Sequence, residues 1–461
     1  WPSAEMLERS SMKALFLPSY LGGGFGHISR CLTLADALEK RGWQTAFVLG
    51  GQHAERVRSG SSAGRRVYAL SHPRQPASGE APAPAFTVLG DMNYQLVRDG
   101  LVSPAVIRAC VAEQLGAVRD FRPDVLVGDV WPLAGVLAHL AGLPLAQIVR
   151  SAIHPAAPDL IWWQACPQGL VSPDPRPVFN PLLEAWGLPP IQRAEDLLVG
   201  DLYLVPSFPE LDPLPDGLAD TTYIGPLVSP QQAGIPEWLN ALDPACPLVY
   251  VTTGGGAESV GGRQFYLDLI EALRNTPVQA VISTGANLSP DDLPPPPAKI
   301  RIESWVPGQA VIARSRLVVY SGGYGTTMEM VQAGVPGLVI PFHTEQESNA
   351  RRLEAAGAAR FLLPSQGQPI QSWHRWPGGR FSTLVYLHSD LTPALLRESI
   401  LDAVADEGLL SGAQHLQSRA MGYRGAAQAV DLIEGLVRSR SPAAVTGWER
   451  LNWWQKLRLS R

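Results

Sequence analysis

Apolar residues first gather at 13–18, K-A-L-F-L-P, a run too short for a helix and suited to a buried strand. Glycines follow at 22–26, then a helically spaced stretch over 27–40, then another apolar run at 45–49. This order predicts a strand, loop, helix and second strand. The same cycle recurs at 124–128 (D-V-L-V-G), 133–141 and 144–149. Proline-dense segments at 73–84 and 155–190 predict loop or irregular structure. From 247 the pattern starts afresh with P-L-V-Y-V-T-T, glycines 254–256, a helix over 262–274 and a strand over 278–283. It continues through strands at 300–302 and 317–320, a helix over 326–333 and a strand over 337–341.

Strands alternating with helices predict α/β architecture: two Rossmann-like, doubly wound domains facing a cleft. Pro, Gly and Asp crowd 225–247, so the expected division is a first domain over 12–225, a linker over 226–246, a second domain over 247–437 and a helical tail over 438–461. Ligands of such sheets bind beyond the carboxyl ends of the strands. The search for chemistry therefore starts at the turns that follow them.

Composition narrows the function classes. The chain has 461 residues, 46% hydrophobic, with formal net charge −5 and pI near 6.0. No Lys/Arg-rich tract occurs in the first 430 residues, which argues against nucleic acid as the main partner. Cys31, Cys110, Cys166 and Cys246 form no C-x-x-C pair, so neither a zinc site nor a disulfide framework is expected. No eighteen apolar residues run together, and the start lacks the pattern of a signal peptide. A cytoplasmic protein is the expectation; residues 1–11 receive no function.

The richest segment begins at Ser321: S-G-G-Y-G-T-T-M-E-M-V-Q-A-G-V-P-G-L-V-I-P-F-H-T-E-Q-E-S-N-A. Gly322, Gly323 and Gly325, with Tyr324 among them, lie between a strand and a helix, where bare N–H groups and a helix N-terminus can meet phosphate oxygens. Thr326 and Thr327 add hydroxyls in the first turn, and Glu329 can accept from both hydroxyls of a ribose. Beyond the next strand, Glu345 and Gln346 suit the hydroxyls of a sugar. A lone glycine-rich loop is as often a plain tight turn as a ligand cradle; the whole string is more specific.

That string resembles the nucleotide-sugar signature of the GT-B glycosyltransferases, in particular the bacterial macrolide and natural-product branch of the UDP-glycosyltransferase superfamily. The resemblance extends to Trp305, Val306 and Pro307, which match the family's W-x-P segment, and to 247–258, with Thr253, Gly254 and Gly255 as further candidate donor contacts. It implies that Trp305 and Val306 face the base, Gly322 to Thr326 hold the diphosphate, Glu329 the ribose, and Glu345 with Gln346 the donor sugar, with Ser321 as a further candidate donor contact. The sequence departs from the family at Ser321, where His is usual, and at Gly308, where Gln is common. Serine at that place is similar to the bacterial lipid-linked GlcNAc transferases of the same fold.

In the first half, G-G-G-F-G-H-I brings Gly26 and His27 to the expected start of the first helix. An imidazole there suits a general base at neutral pH, and the plainer alternative is a capping or solvated histidine. Asp129 ends the D-V-L-V-G-D run at the same sheet edge and can orient the imidazole; its alternative is to cap the helix near Trp131 and Pro132. The resemblance implies the catalytic histidine and its aspartate at these two positions. An inverting transfer from a UDP-sugar, or less readily a TDP-sugar, to a hydroxyl follows. No D-x-D occurs, so metal independence is expected, with no cofactor beyond the donor.

The acceptor is a small molecule or lipid, with Phe25, 92–96 and Trp162–Trp163 as candidate pocket residues, although adjacent tryptophans are more often packing. The tail over 448–461 mixes Trp and Leu with Arg and Lys, as at a membrane interface; a helix packed back on the first domain is the favoured alternative. Relative to the family, 366–390 looks like an insertion without assigned role. Rival functions share the fold: a UDP-sugar hydrolase, since G-H-I-S-R-C-L-T-L-A is similar to the hydrolase of pseudaminic-acid synthesis, a nucleotide-sugar 2-epimerase, and a non-catalytic binding protein.

Overall fold

The computed structural model describes residues 11–20, 25–59, 64–71, 84–156, 169–229, 234–254, 262–285 and 288–439. Gly255, Cys166, the Trp162–Trp163 pair and the tail over 448–461 lie outside the described residues. The strands of the first half are β1 (Lys13–Pro18), β2 (Gln44–Gly50), β3 (Arg66–Leu70), β4 (Phe86–Val88), β5 (Val125–Asp129), β6 (Leu145–Ile148), β7 (Leu202–Val205) and β8 (Thr221–Tyr223). All except β4 form one parallel sheet in the order β3-β2-β1-β5-β6-β7-β8.

The second half carries β9 (Leu248–Thr252), β10 (Gln279–Ser283), β11 (Ile300–Glu303), β12 (Leu317–Tyr320), β13 (Gly337–Val339) and β14 (Ala359–Phe361). They make a parallel sheet in the order β11-β10-β9-β12-β13-β14. Central strands such as β1 and β5 are apolar at nearly every position because helices cover both faces of a parallel sheet. The order reverses at β1/β5 in one sheet and at β9/β12 in the other. At these switch points the flanking connections leave toward opposite faces, which opens the crevice that holds ligands. Two facing α/β domains are what the periodicity predicts, and the structure shows them.

Two elements depart from the sequence reading. Within the proline-dense stretch over 155–190, a helix runs from Arg176 to Ala185. Pro at its first turn is compatible with a helix start, and Val178, Phe179, Leu182 and Leu183 bury one face. Density of prolines hid that stripe. The stretch over 366–390 is a β-hairpin, β15 (Ile370–Trp376) and β16 (Gly379–Tyr386), turned by Pro377 and Gly378.

This hairpin leaves the second half and completes the first. Leu384, Val385 and Tyr386 of β16 pair antiparallel with Val88, Thr87 and Phe86 of β4, giving a three-stranded sheet shared by both halves. Phe381 and Trp376 are buried in the core of the first half, where Phe381 meets Tyr94 edge-on at 5.9 Å. The Tyr94 hydroxyl lies 2.8 Å from the Ser382 carbonyl and 3.1 Å from that of Val171. At the hairpin tip, a Cβ on Gly378 would sit 2.3 Å from the Asp174 carbonyl, so only glycine permits this docking. The chain then crosses again: the helix Ala426–Ser439 packs on the helix Gly26–Lys40 and places Ala429, Val430 and Ile433 in the same core. No described helix is long and apolar enough to cross a membrane.

Phe381→Ala removes an aromatic ring from the core of the other half and is expected to lower stability by about 3 kcal/mol. A urea unfolding curve that keeps its midpoint would show that the hairpin is not part of that core.

Candidate active site

Asp129 is the last residue of β5, paired with Pro18 of β1 at the centre of its sheet, and it has no exposed surface. The next residue, Val130, adopts φ 56. A β-branched residue rarely enters the left-handed region, and such strain is held where the surroundings over-determine it. His27 is the second residue of the helix that begins at Gly26, and Gly26 itself is exposed with open space around it. The imidazole Nδ1 lies 2.7 Å from Asp129 Oδ1. With the ring proton on Nδ1 donated to that carboxylate, Nε2 carries a lone pair, and the side chain is 34% exposed, so it is open to substrate.

A third member was not found from the sequence. Arg30, one turn after His27, donates through Nε to Asp129 Oδ2 at 3.0 Å and through Nη2 to Oδ1 at 2.8 Å. Its Nη2 also lies 2.8 Å from His27 Nδ1. Burial by itself would push the Asp129 carboxyl up; the Arg30 guanidinium and His27 outweigh it and hold the group below the usual carboxylate range. The same carboxylate raises Arg30 against the opposing effect of burial.

Across the cleft, β12 ends at Tyr320 and the chain turns through Ser321, Gly322 and Gly323 into the helix Tyr324–Ala333. No side chain caps this helix. Its first-turn N–H groups are therefore not taken up by a capping side chain, the condition for binding an anion there. Gly322 has φ +89, and a Cβ there would meet Gln346 O at 2.8 Å and Val339 Cγ1 at 2.9 Å. Asn349 Nδ2 donates to Gly322 O at 2.8 Å and holds the turn from behind. Gly323 is half-buried, whereas Gly325 is exposed.

The hydroxyls divide their labour. Thr327 is buried with its Oγ1 at 2.8 Å from the Tyr320 hydroxyl and 3.1 Å from Gly323 O, so it serves the turn and not a phosphate, contrary to the expectation for both threonines. Thr326 stays half-buried at the helix start. Ser321 Oγ donates to Thr253 O at 3.3 Å and ties the β12 turn to the β9 turn, where Thr253 and Gly254 lie half-buried and Thr253 Oγ1 meets the Tyr266 hydroxyl at 2.9 Å.

Trp305 is 64% exposed after β11 and leaves its ring face open, while Val306 packs into the core. The next helix, Gly308–Ile312, brings Gln309 Nε2 to 3.5 Å from Glu329 Oε1. Glu329 is half-buried, and burial raises its carboxyl with only partial relief from Gln309. Glu345 and Gln346 lie in the first turn of the helix Thr344–Ala355. Gln346 Oε1 accepts from Phe342 N at 2.8 Å, which fixes the carboxamide. The Glu345 side chain is 59% exposed to solvent; the protein mass crowded around it in the cleft raises its carboxyl, but His343 and then Arg150 and His27 outweigh that and hold it low.

Tyr324 connects the halves. Its hydroxyl donates to Pro206 O at 2.8 Å, with Asp212 Oδ2 at 3.3 Å. Arg150, from the end of β6, stacks 3.8 Å over its ring and Arg30 lies 5.6 Å from its centroid. Arg150 is also paired to Asp212 at 3.1 Å and stands 3.6 Å from Glu345. The structure therefore brings His27 and Asp129, the glycine turn and the Glu345 carboxylate to one cleft. By contrast Met92, Tyr94 and Leu96 are buried in the first-half core, whereas Gln95 is half-buried and Phe25 is half-buried beside His53.

Comparisons with known proteins give likenesses to glycosyltransferases. The model of the family described as erythromycin biosynthesis protein CIII-like, C-terminal domain, matches residues 269–371, the stretch that holds the glycine turn. The chain is 31% identical over 276 residues to the PGL/p-HBAD biosynthesis rhamnosyltransferase of Mycobacterium bovis, covering 56% of this chain and 60% of that protein. It is 27% identical over 378 residues to the 4'-demethylrebeccamycin synthase of Lentzea aerocolonigenes, covering 74% and 85%. Among solved structures, the calicheamicin glycosyltransferase CalG4 superposes with TM-score 0.68 at 21% identity over 94% of this chain and all of its own. The spinosyn rhamnosyltransferase SpnG, complexed with thymidine diphosphate, gives 0.62 at 20% identity over 92% of this chain. These likenesses establish the GT-B fold and bear out the resemblance read from the sequence.

Gly322→Ala forces a side chain into a left-handed turn against fixed neighbours and is expected to cost about 2 kcal/mol or more. Calorimetry should show nucleoside diphosphate affinity falling at least about tenfold. Gly325→Ala, with open space around it, should lose much less. Unchanged affinity in Gly322→Ala would remove the turn from the donor site.

Proposed function

We propose that this chain, a GT-B protein similar to natural-product and lipid glycosyltransferases, transfers a hexose-type sugar from a nucleoside diphosphate donor to a hydroxyl of a small-molecule or lipid acceptor. The observation that carries the reading is the His27–Asp129 pair at 2.7 Å, placed across the cleft from the uncapped helix at Tyr324. Neither a plain dinucleotide fold nor a binding module needs a buried carboxylate that orients a half-exposed imidazole toward a phosphate cradle.

In this mechanism Nε2 of His27 takes the proton of the acceptor hydroxyl while the oxygen attacks the anomeric carbon. The bond from that carbon to the phosphate oxygen breaks with its electron pair passing to the diphosphate. The departing charge is met by the helix N-terminus at Tyr324, Gly325 and Thr326. Asp129 stabilises the imidazolium that forms. A single displacement inverts the anomeric centre. Glu329 accepts from the ribose, Trp305 stacks on the base, and Glu345 with Gln346 orients the sugar. Helix dipole and the Thr326 hydroxyl stand in for a divalent cation, so the reaction is metal-independent. UDP- and TDP-sugars are both candidate donors, the latter because a structural neighbour was solved with thymidine diphosphate and one relative is named a rhamnosyltransferase.

The test measures nucleoside diphosphate release from UDP- and TDP-sugars, with and without phenolic, polyketide and lipid alcohol acceptors. Acceptor-dependent release that falls by about 10²-fold or more in His27→Ala and persists in EDTA is the expected outcome. Robust release without acceptor would instead make the chain a sugar-nucleotide hydrolase.

A further inference from the structure

We infer that Arg30 is a positioning residue for the base: it clamps Asp129 and, by sharing that carboxylate with His27, keeps the imidazole neutral and free to accept a proton. The inference rests on the reading of His27 as the general base. A histidine facing an unshared, fully buried carboxylate is drawn into an ion pair, because the opposite charge favours the protonated ring. Such a ring has no lone pair for the acceptor hydroxyl.

Arg30 changes that balance. It reaches both Asp129 oxygens, at 3.0 and 2.8 Å, and both residues are buried, Arg30 at 7% exposure and Asp129 at none. With His27 neutral the three groups sum to zero charge. Protonating the ring leaves a net positive charge beside a buried guanidinium whose Nη2 is 2.8 Å from Nδ1. The arginine is suited to this because its planar fork binds a carboxylate bidentately and does not deprotonate. Among the described residues Glu345, from the helix Thr344–Ala355, is a further charged group that acts on His27, and it is itself engaged by His343 and Arg150 before His27, and by Arg98 after it. The guanidinium also lies 5.6 Å from the Tyr324 ring, so one side chain sets the base against the first residue of the donor helix.

The experiment is the pH dependence of kcat/KM for the acceptor in wild type, Arg30→Gln and Arg30→Lys, with His27→Ala as control. Arg30→Gln leaves Asp129 uncompensated and is expected to move the acid limb up by about one pH unit. Arg30→Lys keeps the charge and should keep the limb near its wild-type position while kcat falls. An Arg30→Gln limb that stays in place or moves down overturns the inference, since a merely structural arginine would change the rate and not the limb.

Should Arg30→Gln fail to fold, Asp129→Asn and the double variant Arg30→Gln/Asp129→Asn, which buries no charge, decide the matter. Asp129→Asn alone should move the limb down, and the double variant should return it toward wild type. Equal limbs in those two variants overturn the inference. Full activity in His27→Ala would instead overturn the reading of the base itself.

Discussion

A carboxylate with no exposed surface ends the central strand of the first sheet, and the candidate active site is arranged around the need to keep it charged. Desolvation of such a group is costly unless partners compensate it. Asp129 obtains them from a single helix turn, His27 and Arg30, which point to the same side because residues three apart share a helix face. Helix position, base orientation and the strained Val130 thus answer to one constraint.

A second buried carboxylate, Asp212, does the same work for the relation between the halves. It binds Arg150 and Ser151 of the first half and lies within 3.3 Å of the Tyr324 hydroxyl in the second. Burial would raise it, and Arg150 holds it low. With the Arg150 and Arg30 guanidinium groups 3.8 and 5.6 Å from its ring centroid, Tyr324 seats the helix Tyr324–Ala333 against the first half. Under the proposed function, the geometry between proton acceptor and leaving group is then set before substrate arrives, which is where much of the rate advantage of an oriented site originates.

The hairpin β15–β16 extends this fixation along the cleft. Strand β4, which it pairs, also touches the donor-sugar segment: Thr87 N donates to Phe342 O at 2.9 Å, and Thr344 Oγ1 donates to Leu89 O at 2.7 Å. Glu345 and Gln346 follow Thr344 directly, so these two residues are anchored to the first half through one backbone and one side-chain hydrogen bond. The hairpin thereby bears on the candidate site through strand register.

Much of this protein is local information. Two doubly wound sheets follow from alternating runs and helical spacing, because each strand and helix carries its own period. The donor turn is legible because glycines, a helix start and Glu329 lie within ten residues, and His27 announces itself at the end of a glycine loop. Even Arg30 was there to be read, one helical turn after His27. What the chain could not disclose depends on contacts between distant positions: that Thr327 is spent on Tyr320, that Met92 and Leu96 lie in the core, and that the prolines near Arg176 open a helix. The partnership of Arg150, Asp212 and Tyr324, and the docking of 370–386 on 86–88, join segments tens to hundreds of residues apart. No periodicity encodes such pairs; shape and charge complementarity in the folded state select them.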